Sequence, residues 1–204
     1  MPACGRDGSF FGWRVVAGAF VLAVFGWGLG FYGPPLLLEA VRETSGLPLS
    51  LVSAAVTVHF LTGALVVANL ARLHARFGVP AVTKAGSVSL ALGLLGWATA
   101  ATPWHLLLAT LLSGAGWVAM GAAAVNAIIA PWFVRTRPAA LATAYNGASV
   151  GGILFAPLWV AALGGFGFPG AAFLFGGVMV VVVWILADRV FARTPAAMGQ
   201  VPDG

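Results

Sequence analysis

Five polar side chains stand inside stretches that are otherwise apolar: Tyr32, His59, Asn126, Tyr145 and Asn146. His59 lies in the run Val56-Thr57-Val58-His59-Phe60-Leu61. An imidazole there can carry a proton near neutral pH, or stay neutral and bond a neighbouring helix. The amides of Asn126 and Asn146 can donate to a carboxylate ligand or bond across helices. Tyr32 and Tyr145 are the only tyrosines, and Tyr32 sits among Gly30, Gly33, Pro34 and Pro35. Glycine and proline loosen a helix and open backbone groups to a cavity, although tyrosine is equally at home at a membrane interface. The pattern offers binding and proton handling rather than covalent chemistry. There is no nucleophile–base pair, no paired carboxylates, no phosphate loop and no metal-spaced cluster, so neither an enzyme nor a cofactor finds support. The single cysteine, Cys4, excludes an internal disulfide and a thiolate metal site.

The elements that must hold these groups follow from composition. Hydrophobic residues make up 61% of the 204, charged residues 7%, and the mean hydropathy is +1.01. A soluble domain needs several times more charge to cover its surface. All Lys, Arg, Asp and Glu sit near the ends of apolar segments and none at the middle of one. A charge at the bilayer centre costs at least ~2.5 kcal/mol, which explains that distribution. The net charge of +5 does not indicate nucleic acid, because the cations are scattered singly and form no basic stripe.

Apolar stretches predict an all-α membrane protein of six transmembrane helices at about 13–40, 49–71, 81–101, 104–130, 138–163 and 170–188. The transmembrane domain then covers 13–190, after a tail over 1–12 and before a tail or linker over 191–204. Arg42 to Pro48, Arg72 to Pro80, Thr102-Pro103, Pro131 to Pro138 and Gly164 to Pro169 punctuate the spans. The first apolar run is too long for a signal-peptide core of ~7–15 residues. With six alternating spans, Arg6, Arg14, Arg72, Arg76, Lys84, Arg135, Arg137, Arg189 and Arg193 fall on one side and Arg42 alone on the other. This positive-inside bias predicts cytoplasmic termini, in what reads as a bacterial inner membrane.

Small-residue pairs mark close helix approach: Gly26/Gly30, Gly147/Gly151 and Ala115/Ala119/Ala123. Thr143, Asn146 and Ser149 share a face of span five. In span two His59 and Thr62 share one face, with Ser50, Ser53 and Thr57 opposite. Span six, with Val178 to Val183, is apolar all round and is expected to face lipid. Spans one, two, four and five thus have polar groups to hide, as a bundle around a polar cavity requires. Glu39 and Arg42, one turn apart, read as an exposed pair of little energetic weight.

Asp7-Gly8-Ser9-Phe10-Phe11-Gly12-Trp13-Arg14-Val15-Val16 resembles the lead-in to the first helix in the monocarboxylate transporter and oxalate/formate antiporter branch of the major facilitator superfamily. Trp132-Phe133-Val134-Arg135-Thr136-Arg137-Pro138-Ala139-Ala140-Leu141-Ala142, continued by Tyr145-Asn146-Gly147-Ala148-Ser149-Val150-Gly151-Gly152, resembles that branch's loop 4–5 signature. The stretch Ala71-Arg72-Leu73-His74-Ala75-Arg76-Phe77-Gly78 is similar to the loop 2–3 pattern at Leu73, Arg76 and Gly78. Ala75 stands where the family has an aspartate that helps latch one conformation, and His74 reads as a solvated loop residue.

The resemblance covers the whole chain but only the N-terminal half of a family member. It implies a secondary transporter for a small organic anion, a mono- or dicarboxylate, bound between two six-helix halves and moved by alternating access. It implies gating roles for Arg76, Gly78, Arg135 and Arg137; the polar residues already singled out, Tyr32, His59, Asn126, Tyr145 and Asn146, are the substrate-pathway candidates. The expected partners are the lipid bilayer, the anion and a second six-helix half, with no nucleic acid. The family's anion-binding cations tend to come from the second half, and no Lys or Arg lies at the middle of a predicted span here. A non-transporting membrane subunit and a half-size protein acting as a homodimer are the rival readings.

Overall fold

The computed structural model describes residues 10–203; Cys4, Arg6 and the Asp7-Gly8-Ser9 start of the first motif lie outside the described residues. Those residues form helices and no strand. In hydrocarbon every backbone N–H and C=O must find a partner within the protein, and a helix does this within one segment. The chain is an integral membrane protein of six apolar helical spans, the all-α architecture expected.

Span one is longer and less regular than the expected 13–40. Helix α1 (Gly12–Phe25) widens into a π-helical turn over Gly26–Phe31, followed by α2 (Gly33–Leu36) and α3 (Leu38–Ser45). Gly46, at φ 67°, ends it. Span two is α4 (Leu49–Phe77) and span three α5 (Val79–Ala98). Between them only Gly78 leaves helical geometry, at φ 80° and ψ 151°, where a side chain would be strained. The predicted break over Arg72–Pro80 is therefore a single-residue joint. Arg72, His74 and Arg76 extend α4, where cations suit the C-terminal dipole, and Pro80 enters the first turn of α5, where no N–H is needed. His74 is half-buried rather than solvated, with its Nε2 buried and unpaired among the described residues.

Span four is not the continuous helix expected over 104–130. Helix α6 (Pro103–Val118), capped by the Thr102 hydroxyl accepting from the His105 N–H at 3.2 Å, stops at Ala119-Met120-Gly121. Helix α7 (Ala122–Ile129) then resumes after Gly121 takes an extended conformation. Spans five and six run through α8 (Arg137–Leu186), whose 50 residues would reach ~75 Å, more than twice a bilayer core. Gly167, at φ 67° and ψ 175°, turns the chain between the two limbs, and Pro169 follows it. A final π turn, Ala187–Phe191, ends span six.

Close approach of backbones holds the bundle. A Cβ on Gly93 of α5 would lie 2.6 Å from the Cβ of Ser113 in α6, and one on Gly151 of α8 would lie 3.1 Å from the Gly28 nitrogen in the π turn that follows α1. Ala119 packs into Gly86 in the same way. Span six is not free all round: Ala172, Met179 and Val183 are fully buried, and Gly176 meets Ala91 of α5. Its other face exposes Phe173, Val181 and Ile185. A Lys84–Asp188 ion pair joins α5 to the end of span six, with the ammonium 5.2 Å from the centre of the Trp184 ring.

These contacts set an expectation for two glycines. Gly93→Val overpacks the α5–α6 crossing and destabilises the protein by about 1–3 kcal/mol or more, read as a lower melting temperature in detergent. Gly177→Ala, with nothing within 4 Å of its Cβ position, leaves that temperature unchanged or raises it.

Candidate functional site

Two interruptions of helical geometry meet in the middle of the bundle. In the π turn of α1 the Tyr32 N–H bonds the Trp27 carbonyl at 2.9 Å, one residue further back than in an α-helix. Gly26 opens that turn and abuts the α6–α7 break, where its Cβ would lie 3.1 Å from the Met120 carbonyl oxygen. Just past the break, the Ala122 carbonyl accepts from the Asn126 amide at 2.9 Å and from the Tyr145 hydroxyl at 3.1 Å. The Asn126 amide also donates to the Tyr145 hydroxyl oxygen at 2.6 Å. Two of the predicted residues, from α7 and α8, thus form one polar pair. Asn146 is exposed beside it and lies on the face carrying Thr143 and Ser149.

An aromatic wall continues from this pair across three spans. The Tyr145 ring centre lies 6.1 Å from that of Trp27, which lies 6.5 Å from Trp117. Trp117 packs on Phe31 at 5.7 Å and Phe60 at 6.1 Å, and Phe31 meets Tyr32 at 5.1 Å. Phe31 and Tyr32 remain 37% and 42% exposed, so the far end of the wall is open. Tyr32 lies over Gly152 of α8 and, with Ser149, lines a groove of about 630 Å³. Sequence reasoning missed Trp27, Phe31, Phe60 and Trp117. The available signal was Trp117 itself, since tryptophan favours the membrane interface and this one stands well inside its span.

His59 lies behind the wall, fully buried, with its ring 6.2 Å from Trp117 and nearly parallel to it. A carbonyl only accepts, so the 2.9 Å contact between Nε2 and the Gly30 oxygen puts a proton on Nε2. In the neutral ring Nδ1 then accepts from the Ser113 hydroxyl at 2.8 Å. Ser113 Oγ in turn accepts from the Trp97 indole N–H at 3.0 Å. The imidazole therefore ties together α4, the π turn of α1, α5 and α6. Of the predicted residues it is the most enclosed, and it buttresses the wall from inside.

The remaining predicted residues lie at helix ends. Arg76 is exposed over the Phe77 ring, 5.1 Å from its centre, and Gly78 is the α4–α5 joint. Arg137 closes the end of span four, donating from Nε to the Phe133 carbonyl at 2.8 Å and from a terminal nitrogen to the Ala130 carbonyl at 3.1 Å. Arg135 points outward.

The two polar clusters differ in what their loss costs. His59→Ala leaves the Gly30 carbonyl without its His59 partner, while Ser113 keeps Trp97 and the Thr110 carbonyl, and about 1–3 kcal/mol of stability is lost on that account, with a cavity term in addition. Asn126→Ala, at an exposed position, changes stability by no more than about 0.5 kcal/mol. Thermal melts of the two variants in detergent should separate them clearly.

No family model matches the chain. Among characterised proteins it is similar to Monocarboxylate transporter 11 of Mus musculus, 32% identical over 188 residues that cover 87% of this chain and 39% of that protein. MFS-type transporter 1 of an Ophiocordyceps species is 28% identical over 95% of this chain and 43% of its own length. MFS transporter asaE of Aspergillus flavus is 27% identical over 100% of this chain and 46% of its own length. The chain spans less than half the length of these relatives. With six apolar helical spans that match such transporters along nearly all of its own length, the chain belongs to the major facilitator superfamily, as the counterpart of one six-helix half.

Proposed function

We propose that this chain is one half, the N-terminal one, of a secondary transporter that carries a small organic anion by alternating access. The observation that supports this most is the uncharged polar and aromatic face built where the α1 π turn meets the α6–α7 break. Interrupted helices at mid-membrane are where such proteins place substrate, because backbone and side-chain groups there are free of strict helical pairing. The Asn126–Tyr145 pair supplies neutral hydrogen-bonding groups, and Trp27, Phe31, Phe60 and Trp117 supply an apolar bed for the body of the molecule. No Lys or Arg is among these residues, so the anion's charge is met by cations of a second six-helix half. That half is either a continuation of the same chain or a second copy. The distribution of Arg and Lys supports cytoplasmic placement of both ends of the bundle, with Arg76, Gly78, Arg135 and Arg137 on the gating side.

Uptake of radiolabelled pyruvate into proteoliposomes tests the reading, with the chain alone and with the natural protein of its source membrane. Saturable uptake is expected wherever two halves assemble. Tyr145→Phe and Asn126→Ala should each raise KM about 3- to 10-fold with little effect on protein yield. A non-transporting subunit predicts no saturable uptake of any carboxylate in either preparation. The homodimer reading predicts uptake by the short chain alone, together with a two-fold crosslinked species.

A further inference from the structure

The segment after span six folds back over the end of the bundle where α1 starts. A short 3-10 turn, Ala196–Met198, and Gly199 at φ 62° redirect it. The Gln200 side-chain oxygen then accepts from the Phe11 backbone N–H at 3.0 Å, satisfying one of the donors left free at the start of α1. Asp203 reaches the loop between α7 and α8. Its carboxylate accepts from the backbone N–H groups of Val134, Arg135 and Thr136 at 3.0, 2.6 and 3.1 Å, and from the Thr136 hydroxyl at 2.6 Å. Its own N–H donates to the Trp132 carbonyl at 2.9 Å. An anion held by successive N–H groups just ahead of a helix suits both the free donors and the helix dipole.

Two further observations separate this from a tail lying on a surface. Asp203, at φ 64°, is the one residue other than glycine with positive φ among the described residues. Such a conformation persists where the surrounding contacts over-determine it. Beneath the loop, Phe10, Phe11 and Trp13 pack on Trp132 and Phe133 at ring separations of 5.3 to 6.2 Å, and both partners are almost fully buried. The Thr136 hydroxyl, then the Arg135 N–H, hold the Asp203 carboxyl well below the usual carboxylate range.

The loop that Asp203 caps is the one that joins the helix of Asn126 to the helix of Tyr145. We propose that Gln200–Asp203 is a clasp and Asp203 a positioning residue, which sets the register of α8 on α7 and thereby holds the Asn126–Tyr145 pair together. Arg137 secures the same loop from its own side by capping the end of span four, so the loop is tied at both margins. The site concerned is that of the proposed function, but the clasp is tested without any transport.

Two readouts follow. The Arg135–Thr136 bond is the loop's trypsin site, because Arg137 precedes proline. Asp203→Ala should raise the rate of cleavage there about tenfold, Asp203→Asn should fall between it and the wild type, and Asp188→Asn, which breaks the Lys84 pair, should leave it unchanged. The second readout exploits the presence of only two tyrosines. In 3-fluorotyrosine-labelled protein, assigned with Tyr32→Phe, Asp203→Ala should shift or broaden the fluorine signal of Tyr145 and leave that of Tyr32 in place. Wild-type cleavage rates in both Asp203 variants overturn the clasp. Faster cleavage with an unmoved Tyr145 signal overturns the positioning role. Should Asp203→Ala fail to fold, Asp203→Asn and Gln200→Ala carry the same comparison. Failed uptake with these readouts intact counts against the transport reading and leaves the clasp standing.

Discussion

Inside a bilayer there is no water to complete a broken hydrogen bond, and every departure from regular helix in this protein is shaped by that constraint. The π turn at Gly26–Phe31 is answered from another span: the Gly30 carbonyl takes a hydrogen bond from His59. The break at Ala119–Gly121 lies against Gly26, and the first carbonyl of α7 is occupied by Asn126 and Tyr145. The irregular backbone is thus supported by the few polar side chains that the interior contains. Polar groups and interruptions occur together because each makes the other tolerable.

The same reasoning explains why the site is neutral. Imidazole, amide, phenol and indole can satisfy one another at modest cost, whereas a lone guanidinium or carboxylate at that depth would need a partner of opposite charge. All the described charges therefore lie toward helix ends, where Glu39 pairs with Arg42, Lys84 with Asp188, and Arg137 caps carbonyls. On the function proposed above, a six-helix unit of this kind would offer shape and hydrogen bonds to a ligand and leave charge recognition to the half that packs against it.

Much of the architecture was legible in the sequence because hydropathy and charge position report directly on the bilayer. The six apolar stretches, the close-packed Gly147/Gly151 face and the shared face of Thr143, Asn146 and Ser149 could all be read there, though that face is exposed rather than hidden. The local breaks could not. Gly26 and Gly30 read as packing glycines, and nothing in their spacing distinguishes a π turn from a smooth crossing. Gly121 sits in an alanine-rich run that favours helix, and nothing in that run marks its extended conformation. Of the predicted site residues, Asn126 and Tyr145 come together, Asn146 lies beside them, Tyr32 stands at the far end of the aromatic wall, and His59 turns inward. That division depends on which way each helix faces its neighbours, which periodicity alone leaves open. Asp203 was invisible for a simpler reason, since its partners lie 67 to 69 residues away in the chain.

The single-residue joint at Gly78 has a mechanical consequence. Helix α4 ends at Phe77 and α5 begins at Val79, so no slack separates them, and only a residue without a side chain adopts the joint's conformation comfortably. Neither helix can slide along its axis without dragging the other at the end of the bundle where Arg72, Arg76 and Lys84 lie. Force applied to α5, through its glycine contacts with α6 or its ion pair with span six, is delivered through Gly78 to α4, the helix that carries His59 and Phe60.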